Sequence, residues 1–391
     1  DDLLHSIRSS VIRYRDRTYD YPLALGNILK NAPWSLLTGV AKDLLFVLPF
    51  TKAVDDRESA SFADWIESRF GSTLYRHFFE GYTGKLWGID PKDLSADWAA
   101  QRISLIDLKE VARRLLPRSA NTPRTYARSY RYPKYGFGAI FDRLKDRLEA
   151  NGAKVLLNAP VTGVRTEKGQ IKSVSFRQQG QVMELDTDYV VSTLPMPLMM
   201  SFLGEQSELK FRALRFLNMP MDMENISTNT WQYLSDPDIL ATRLQEPRRR
   251  SPFMAPEGKT SMMLEIPCWK GDELWSMDDH RLFARAKQDM NRLGVDMDKA
   301  TGECFSSYAE YAYPLMNKGY QSERNKNAEC LNQYSNLVMC GRQGTFRYIF
   351  TDTAMEMGQL AARSLIDQQD YRKKIFEFRN EKTVIETQSV A

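Results

Sequence analysis

The chain is 391 residues long, 42% hydrophobic, 11% aromatic and 27% charged, enough for a sizeable core and two intimately connected domains. Its 54 basic and 50 acidic residues leave a formal charge of +4, too balanced for a nucleic-acid binder. The four cysteines (Cys268, Cys304, Cys330, Cys340) show no CxxC spacing and the three histidines lie far apart, so neither a metal site nor a disulfide framework is indicated.

In chain order, Leu3, Leu4, Ile7 and Val11 or Ile12 share helical spacing and predict a helix over residues 1–13. Residues 17–22 read as a short extended turn. Helical patterns follow at 25–30, 34–48, 61–70, 73–79 and 102–116. Residues 126–135 alternate aromatic and basic side chains and read as extended. A helix over 137–151 leads to a predicted strand at 154–158. Then 161–167, 171–178 and 182–186, separated by Lys-Gly and Gln-Gly turns, predict a β-meander. Residues 188–193 read as a buried strand. Strands at 231–234 and 260–266, a helix at 279–293 and a strand at 306–313 come next. The helix 353–367 closes the fold, and the polar tail after Gln368 is expected to fray.

The apolar stretches 44–50 and 189–203 are too short, or too interrupted by proline, to span a bilayer, so a soluble, cytoplasmic protein is expected. Within the second, Pro195-Met196-Pro197-Leu198-Met199-Met200 reads first as a core loop and helix start, with membrane contact as the lesser reading. No GxSxG elbow, HExxH pair or Walker A sequence is present.

Residues 341–358 carry the strongest chemical signal. The run Leu337-Val338-Met339-Cys340 reads as a short interior strand, Gly341 permits close approach of a ligand, and Arg342 offers a planar fork suited to a diphosphate. A helix starting near Thr351 or Asp352 would turn its free N–H groups and positive dipole end toward negative charge, including that on the edge of a reduced flavin. An ordinary strand, turn and capped helix would have the same sequence pattern. If this loop holds a dinucleotide, a GxGxxG turn between a first strand and helix should lie elsewhere. The nearest candidate, Gly136-Phe137-Gly138-Ala139-Ile140-Phe141, has phenylalanine at the third small position and follows no buried strand, so it reads as a tight turn before a helix.

Several segments together resemble the flavoprotein superfamily of amine oxidases, protoporphyrinogen oxidases and, most of all, UDP-galactopyranose mutases. Tyr19-Asp20-Tyr21-Pro22-Leu23 resembles the mutase "YDYPL" segment, and Gly81-Tyr82-Thr83-Gly84-Lys85-Leu86-Trp87-Gly88 is similar to "YTxKxWG". Gly341-Arg342-Gln343-Gly344-Thr345-Phe346-Arg347-Tyr348 resembles "GRxGTYRY". In that family the GxGxxG unit lies at the extreme N-terminus, and this chain starts at Asp1 without an initiator methionine. The resemblance therefore implies an N-terminally truncated chain lacking a βα unit on the order of 30 residues, and inactive by itself.

The resemblance also implies roles. Arg342 would meet the FAD diphosphate or flavin edge, with Gly341 beside it; Asp352, Ala354 and Met355 would meet the ribityl chain and pyrimidine. Val161 would present backbone to the adenine, and Thr193 and Pro195 would line the cofactor channel. Tyr82, Lys85, Trp87, Arg102, Arg243, Tyr313 and Tyr348 would form the sugar-nucleotide pocket, with helix-end packing as the alternative for Tyr82 and Trp87 and salt bridges for Arg102 and Arg243. Arg342 and Tyr348 would flank the chemistry, which reduced FAD itself performs at N5 in a redox-neutral ring contraction of a UDP-hexose.

The implied architecture is α/β with α+β elements: a Rossmann-like FAD-binding domain without its N-terminal βα unit, a helical insertion and an antiparallel-sheet substrate domain. Expected boundaries are 1–130 for a mostly helical cap, 131–203 and 326–370 for the FAD-binding parts, 204–325 for the substrate sheet and 371–391 for a tail. A homodimer is allowed. Arg102-Ile103-Ser104-Leu105-Ile106 lacks the second arginine of the bacterial "RxPVR" pattern, and Phe346 replaces a tyrosine, so two other readings stay open: an FAD-dependent oxidoreductase or desaturase whose Met-Pro-Leu-Met-Met stretch lines an apolar channel, and an inactive remnant.

Overall fold

The computed structural model describes residues 2–21, 25–54, 59–102 and 129–378. Its strands are β1 (Leu3–Ile7), β2 (Ser10–Tyr14), β3 (Arg17–Asp20), β4 (Ser129–Pro133), β5 (Val161–Glu167), β6 (Gln170–Gln178), β7 (Gln181–Asp186), β8 (Val190–Ser192), β9 (Phe211–Met221), β10 (Trp231–Leu234), β11 (Arg243–Gln245), β12 (Thr260–Cys268), β13 (Phe305–Pro314) and β14 (Leu337–Met339). Helices and sheets are mixed, as expected.

The largest sheet runs β13-β9-β12-β11-β10-β2-β3, antiparallel except where β10 lies parallel to β2. Its register puts Tyr233, Arg243 and Glu265 abreast on one face, and Leu244, Leu264 and Leu217 abreast on the other. The leucine face is closed by the helix Asp279–Arg292, whose Leu282, Ala286 and Met290 enter the same core. That alternation, apolar inward and polar toward the opposite face, leaves the polar face free to build a site. A buried guanidinium fastens the sheet to this helix: Arg215 donates to Ser306 Oγ at 2.8 Å, Leu274 O at 2.7 Å and Asp279 Oδ1 at 2.5 Å.

The helix expected over 1–13 is instead two strands. β1 pairs with β4, more than a hundred residues away, while β2 forms a tight antiparallel hairpin with β3, Tyr14 opposite Arg17, and pairs along its other edge with the distant β10. Leu3 and Ile7, read as one helix face, point to solvent in β1, while Ser6 is buried. Residues 17–22 hold β3 rather than only a turn.

The helices Leu25–Asn31, Trp34–Lys42 and Phe62–Leu74 form where helical spacing predicts them. The last starts on a capping box: Ser61 Oγ accepts from Asp64 N at 3.0 Å and the Asp64 carboxylate accepts from Ser61 N at 3.1 Å. The helix expected over 102–116 lies outside the described residues, except for Arg102 at the end of Ala96–Arg102. The meander forms as β5-β6-β7. Both turns, Lys168-Gly169 and Gln179-Gly180, have positive φ at each residue, the requirement of a two-residue type I′ hairpin.

Three expectations fail beyond the meander's edges. Residues 154–158 form no strand; no described strand lies beside them to complete a ladder, and Leu156 and Leu157 are exposed. The strand expected to be buried at 188–193 is β8, paired in parallel with β14 alone and exposing Val191. After Gln368 the chain does not fray at once: a helix Arg372–Glu377 buries Ile375, and Arg347 donates to the carbonyls of Phe376 and Phe378.

Candidate functional site

The site grows from two walls. One is the loop after β14. Gly341 (φ 75°) starts a short helical turn over Gly341–Gly344, and a Cβ at Gly344 would stand 3.0 Å from Ser192 O at the end of β8, so glycine is what lets the loop press against that strand. Phe346 follows at φ 48°, a left-handed conformation held by full burial against Phe211 at 5.0 Å. The chain then enters the helix Thr351–Ile366, whose N-cap Phe350 supplies no capping acceptor.

Arg342 spends its fork on backbone carbonyls of the protein, Ile349 O and, from Nη1, Ala312 O at 3.4 Å. Its Nε and Nη2 donate to Ile349 O at 3.1 and 2.6 Å, and its guanidinium lies over the Tyr348 ring at 4.5 Å. It closes the loop and fixes the tyrosine. Tyr348 in turn stacks on Tyr313 with centroids 5.8 Å apart and meets Trp98 edge-on at 4.8 Å.

The second wall is the polar face of the large sheet. Arg243 Nη1 lies 3.2 Å from Glu265 Oε1, and Glu265, nearly buried, also accepts from Gln245. Tyr233, 5.3 Å from the guanidinium by its ring centroid, and Tyr82 and Tyr313 surround the pair electrostatically. Burial opposes the charge on Arg243, but Glu265 and the tyrosines outweigh it and hold its pKa well above the ordinary value. Burial pushes the Tyr82 phenol well up, so it stays neutral. Arg243 Nε is buried without a hydrogen-bond partner. The structure thus brings Tyr82, Arg243, Tyr313 and Tyr348 together.

Two neighbours expected in the pocket have other work. Lys85, in the helix Gly81–Trp87, places its ammonium among the carbonyls of Leu234, Asp236, Ile239 and Ala241 at 2.8, 2.8, 3.0 and 2.9 Å, so its donors are consumed by the β10–β11 connection. Burial pulls its pKa down to about 7 against the attraction of Asp236, Asp289 and Asp238, while the carbonyl cage favours the charged form. Trp87 is fully buried, 4.8 Å from Trp98 and 5.8 Å from Tyr313 by ring centroids; it backs the pocket wall and offers no face to a sugar. Gly88 completes this motif at φ 68°: a Cβ there would stand 2.7 Å from Cζ of Arg212, which donates to Leu86 O. The side chain of Arg102 lies outside the described residues.

Of the expected cofactor contacts, Thr193 is exposed at the end of β8, its methyl 3.7 Å from where a Gly341 Cβ would be, and Pro195 is the buried N-cap of the helix Met196–Phe202. Asp352 and Met355 are exposed in the first turns after Phe350, Ala354 packs inward, and Val161 opens β5 opposite Phe176. The glycine contacts with β8, the exposed Thr193 and the uncapped helix start fit the ring end of a flavin. The diphosphate end needs a glycine-rich turn that this sequence lacks: Gly136-Phe137-Gly138 follows β4, which pairs antiparallel with β1 and not within a parallel sheet. Met196, Met199 and Met200 are buried in the core.

Sequence reading missed Glu265 and Tyr233. The signal was available for Glu265, a lone carboxylate within the apolar strand Met262-Met263-Leu264-Glu265-Ile266, where burial demands a cationic partner.

The sequence model of the flavin-containing amine oxidoreductase family matches residues 12–366. No curated protein sequence matches the chain. Among solved structures, one of reduced UDP-galactopyranose mutase is similar at TM-score 0.75 and 16% identity, over 98% of this chain and 84% of that one. A candidate protoporphyrinogen oxidase from Exiguobacterium sp. 255-15 is similar at TM-score 0.64 and 15% identity, over 88% and 77%. Cyclohexylamine oxidase from Brevibacterium oxydans IH-35A is similar at TM-score 0.54 and 14% identity, over 94% and 82%. At such identities these likenesses speak for the fold.

Proposed function

The chain belongs to the flavin-containing amine oxidoreductase family, and from that premise we propose that it forms the substrate pocket and one cofactor wall of a flavin-dependent sugar-nucleotide mutase acting on a UDP-hexose. The observation that carries this reading is Arg243, a half-buried guanidinium aligned by the buried Glu265, ringed by Tyr82, Tyr233 and Tyr313, and keeping a buried, unpartnered Nε donor. Such a group suits an anionic ligand with aromatic or sugar faces. The likeness to the mutase structure supports the same choice.

Reduced FAD, when bound, would supply the reactive ring. Thr193, Gly341 and the start of the helix Thr351–Ile366 would hold its ring end, with Pro195, Asp352, Ala354 and Met355 nearby and Val161 toward the adenine. Arg243 would bind the diphosphate, with Arg102 as a second cation. Tyr82, kept neutral by burial, and Tyr313 would donate hydrogen bonds in a water-poor pocket, where such donors act most strongly. Tyr348 would close the pocket on the flavin side, and Arg342 would act by positioning it.

The test is incubation of the protein with dithionite-reduced FAD and UDP-galactopyranose, followed by chromatography for the furanose isomer. Product without net redox change is expected, and Arg243→Ala should lower kcat/KM by about a hundredfold or more. Hydrogen peroxide release on an amine or a porphyrinogen would replace the mutase reading with an oxidase. Failure of the protein to bind any flavin would sink both.

A further inference from the structure

The polar face of the large sheet continues past Arg243. Two residues further along β11, about 7 Å in an extended strand, stands the buried Gln245, with Trp231 abreast of it on β10. A relay of hydrogen bonds leads outward from the ion pair: Gln245 Nε2 donates to Glu265 Oε1, and Gln245 Oε1 accepts from Arg250 Nη2. One carboxylate therefore serves two guanidiniums, Arg243 directly and Arg250 through an amide. Arg250 is fixed by its surroundings. Ser6 Oγ donates to its carbonyl at 2.6 Å, and its guanidinium lies 5.7 Å from the Trp231 ring centroid and 5.9 Å from that of Tyr132. Arg8 lies over the same indole at 5.2 Å, and Trp231 Nε1 is buried without a hydrogen-bond partner.

Cation–aromatic packing accounts for two arginines around a tryptophan, but not for their charge. No carboxylate among the described residues pairs with Arg250. Glu246 accepts from Ile226 N, Ser227 N and Thr260 Oγ1, Glu224 pairs with Arg248 at 3.8 Å, Asp222 pairs with Lys259 at 2.8 Å, Asp2 pairs with Arg143, and Glu257 stands exposed. Half-buried guanidiniums in excess of carboxylates, beside an unpartnered indole donor, suit an anion that also offers hydroxyl groups. We infer that this corner is a second anion subsite of the same pocket, and that the preferred nucleotide sugar carries a carboxylate on its sugar. The inference rests on the reading of Arg243 as the diphosphate ligand. The spacing favours a sugar carboxylate over the second phosphate of one diphosphate: two phosphates joined by a bridging oxygen sit closer together than Arg243 and Gln245 do along the strand, whereas a carboxylate on the far side of a hexose ring is carried outward to Arg250. The planar forks of Arg250 and Arg8 would bind that carboxylate, and the Trp231 N–H would meet a hydroxyl.

The experiment is calorimetric titration of the protein with UDP, UDP-galactose and UDP-galacturonate. UDP-galacturonate should bind on the order of tenfold more tightly than UDP-galactose, and the preference should shrink as salt is raised. Arg250→Ala should abolish the preference, lowering affinity for UDP-galacturonate far more than for UDP. Arg250→Lys, which keeps the charge without the fork, should retain part of it. Wild type that binds both sugar nucleotides equally overturns the inference. So does an Arg250→Ala variant that loses UDP as much as UDP-galacturonate, since Arg250 would then belong to the diphosphate. Wild type that binds none of the three, UDP included, overturns the sugar-nucleotide reading of the pocket as well, so the two failures are told apart by UDP.

Discussion

The seven-stranded sheet and the cofactor wall differ in how they use apolar residues. In the sheet, Leu217, Leu244, Leu264 and Ile266 vanish beneath the helix Asp279–Arg292, and even the charged Arg215 is fully enclosed and bonded. Among the residues expected to form the FAD-binding part, β8 and β14 form a parallel pair only three residues long, and the helix Gly138–Ala150 buries none of its residues although Ile140, Phe141, Leu144 and Leu148 follow helical spacing. A two-stranded pair is marginal without packing on its faces. The sheet therefore carries its own stability and can hold a rigid pocket, whereas the helix Gly138–Ala150 has the apolar spacing of an interior and the exposure of a surface.

The largest effect should come from the sheet's enclosed charge. Arg215→Ala removes the partner of Asp279 and Ser306 and should cost about 3–5 kcal/mol in urea-induced unfolding. A loss below about 1 kcal/mol would mean that the sheet is no better satisfied than the cofactor wall.

Next is Lys85. Lys85→Met leaves the four caged carbonyls between Leu234 and Ala241 without their donor and should destabilise by about 3 kcal/mol. Lys85→Arg should not rescue it, because a planar fork cannot satisfy acceptors arranged around a point charge. If instead Lys85→Met raised KM for the nucleotide and left unfolding unchanged, the lysine would be a ligand contact after all.

Lys85 also marks the limit of what sequence could tell. A lysine beside tyrosine and tryptophan reads equally as a phosphate contact or as an internal cation, and only the fold of residues 234–241, about 150 positions away, decides. Local signals did better. The Lys-Gly and Gln-Gly pairs located both meander turns, because each solves its backbone problem within a few residues. The strands β1 and β2 were read as helix because the partners β4 and β10 are remote, and because the turn between β2 and its neighbour β3, Arg15-Asp16, carries no glycine or asparagine to mark a hairpin. At the site, Tyr82, Arg243, Tyr313 and Tyr348 were named separately, but the ion pair that organises them required the sheet register that sets Arg243 beside Glu265.

His77, packed beside β2 and β3 of the sheet, offers a smaller, pH-dependent probe. It packs against Tyr14 at 4.6 Å and Phe78, and burial, then Arg15 and Arg17, lower its pKa from the ordinary 6.5 to about 4. The unfolded chain thus binds more protons than the folded one between pH 6.5 and 4, so this group's contribution to stability falls as pH drops through that window. The loss is at most about 3 kcal/mol. His77→Gln should reduce the difference between melting temperatures at pH 7.5 and 4.5. An unchanged difference would assign the acid sensitivity to carboxylates such as Asp279, which is held below its ordinary pKa by hydrogen bonds from Ser306 and Arg215 in spite of burial.

The smallest expected effect tests the other side of the comparison. Phe141 and Leu144 on the helix Gly138–Ala150 are 51% and 47% exposed, so replacing them with serine removes little buried area. Phe141→Ser/Leu144→Ser should change unfolding free energy by no more than about 0.5 kcal/mol and should improve solubility. A loss of 2 kcal/mol or more would reveal that this face is covered in solution by something able to bury a phenylalanine and a leucine. If the loss occurred only with FAD present, the cover would be coupled to the cofactor. If it occurred without FAD, the wall would be as complete as the sheet, and the contrast between the two regions would disappear.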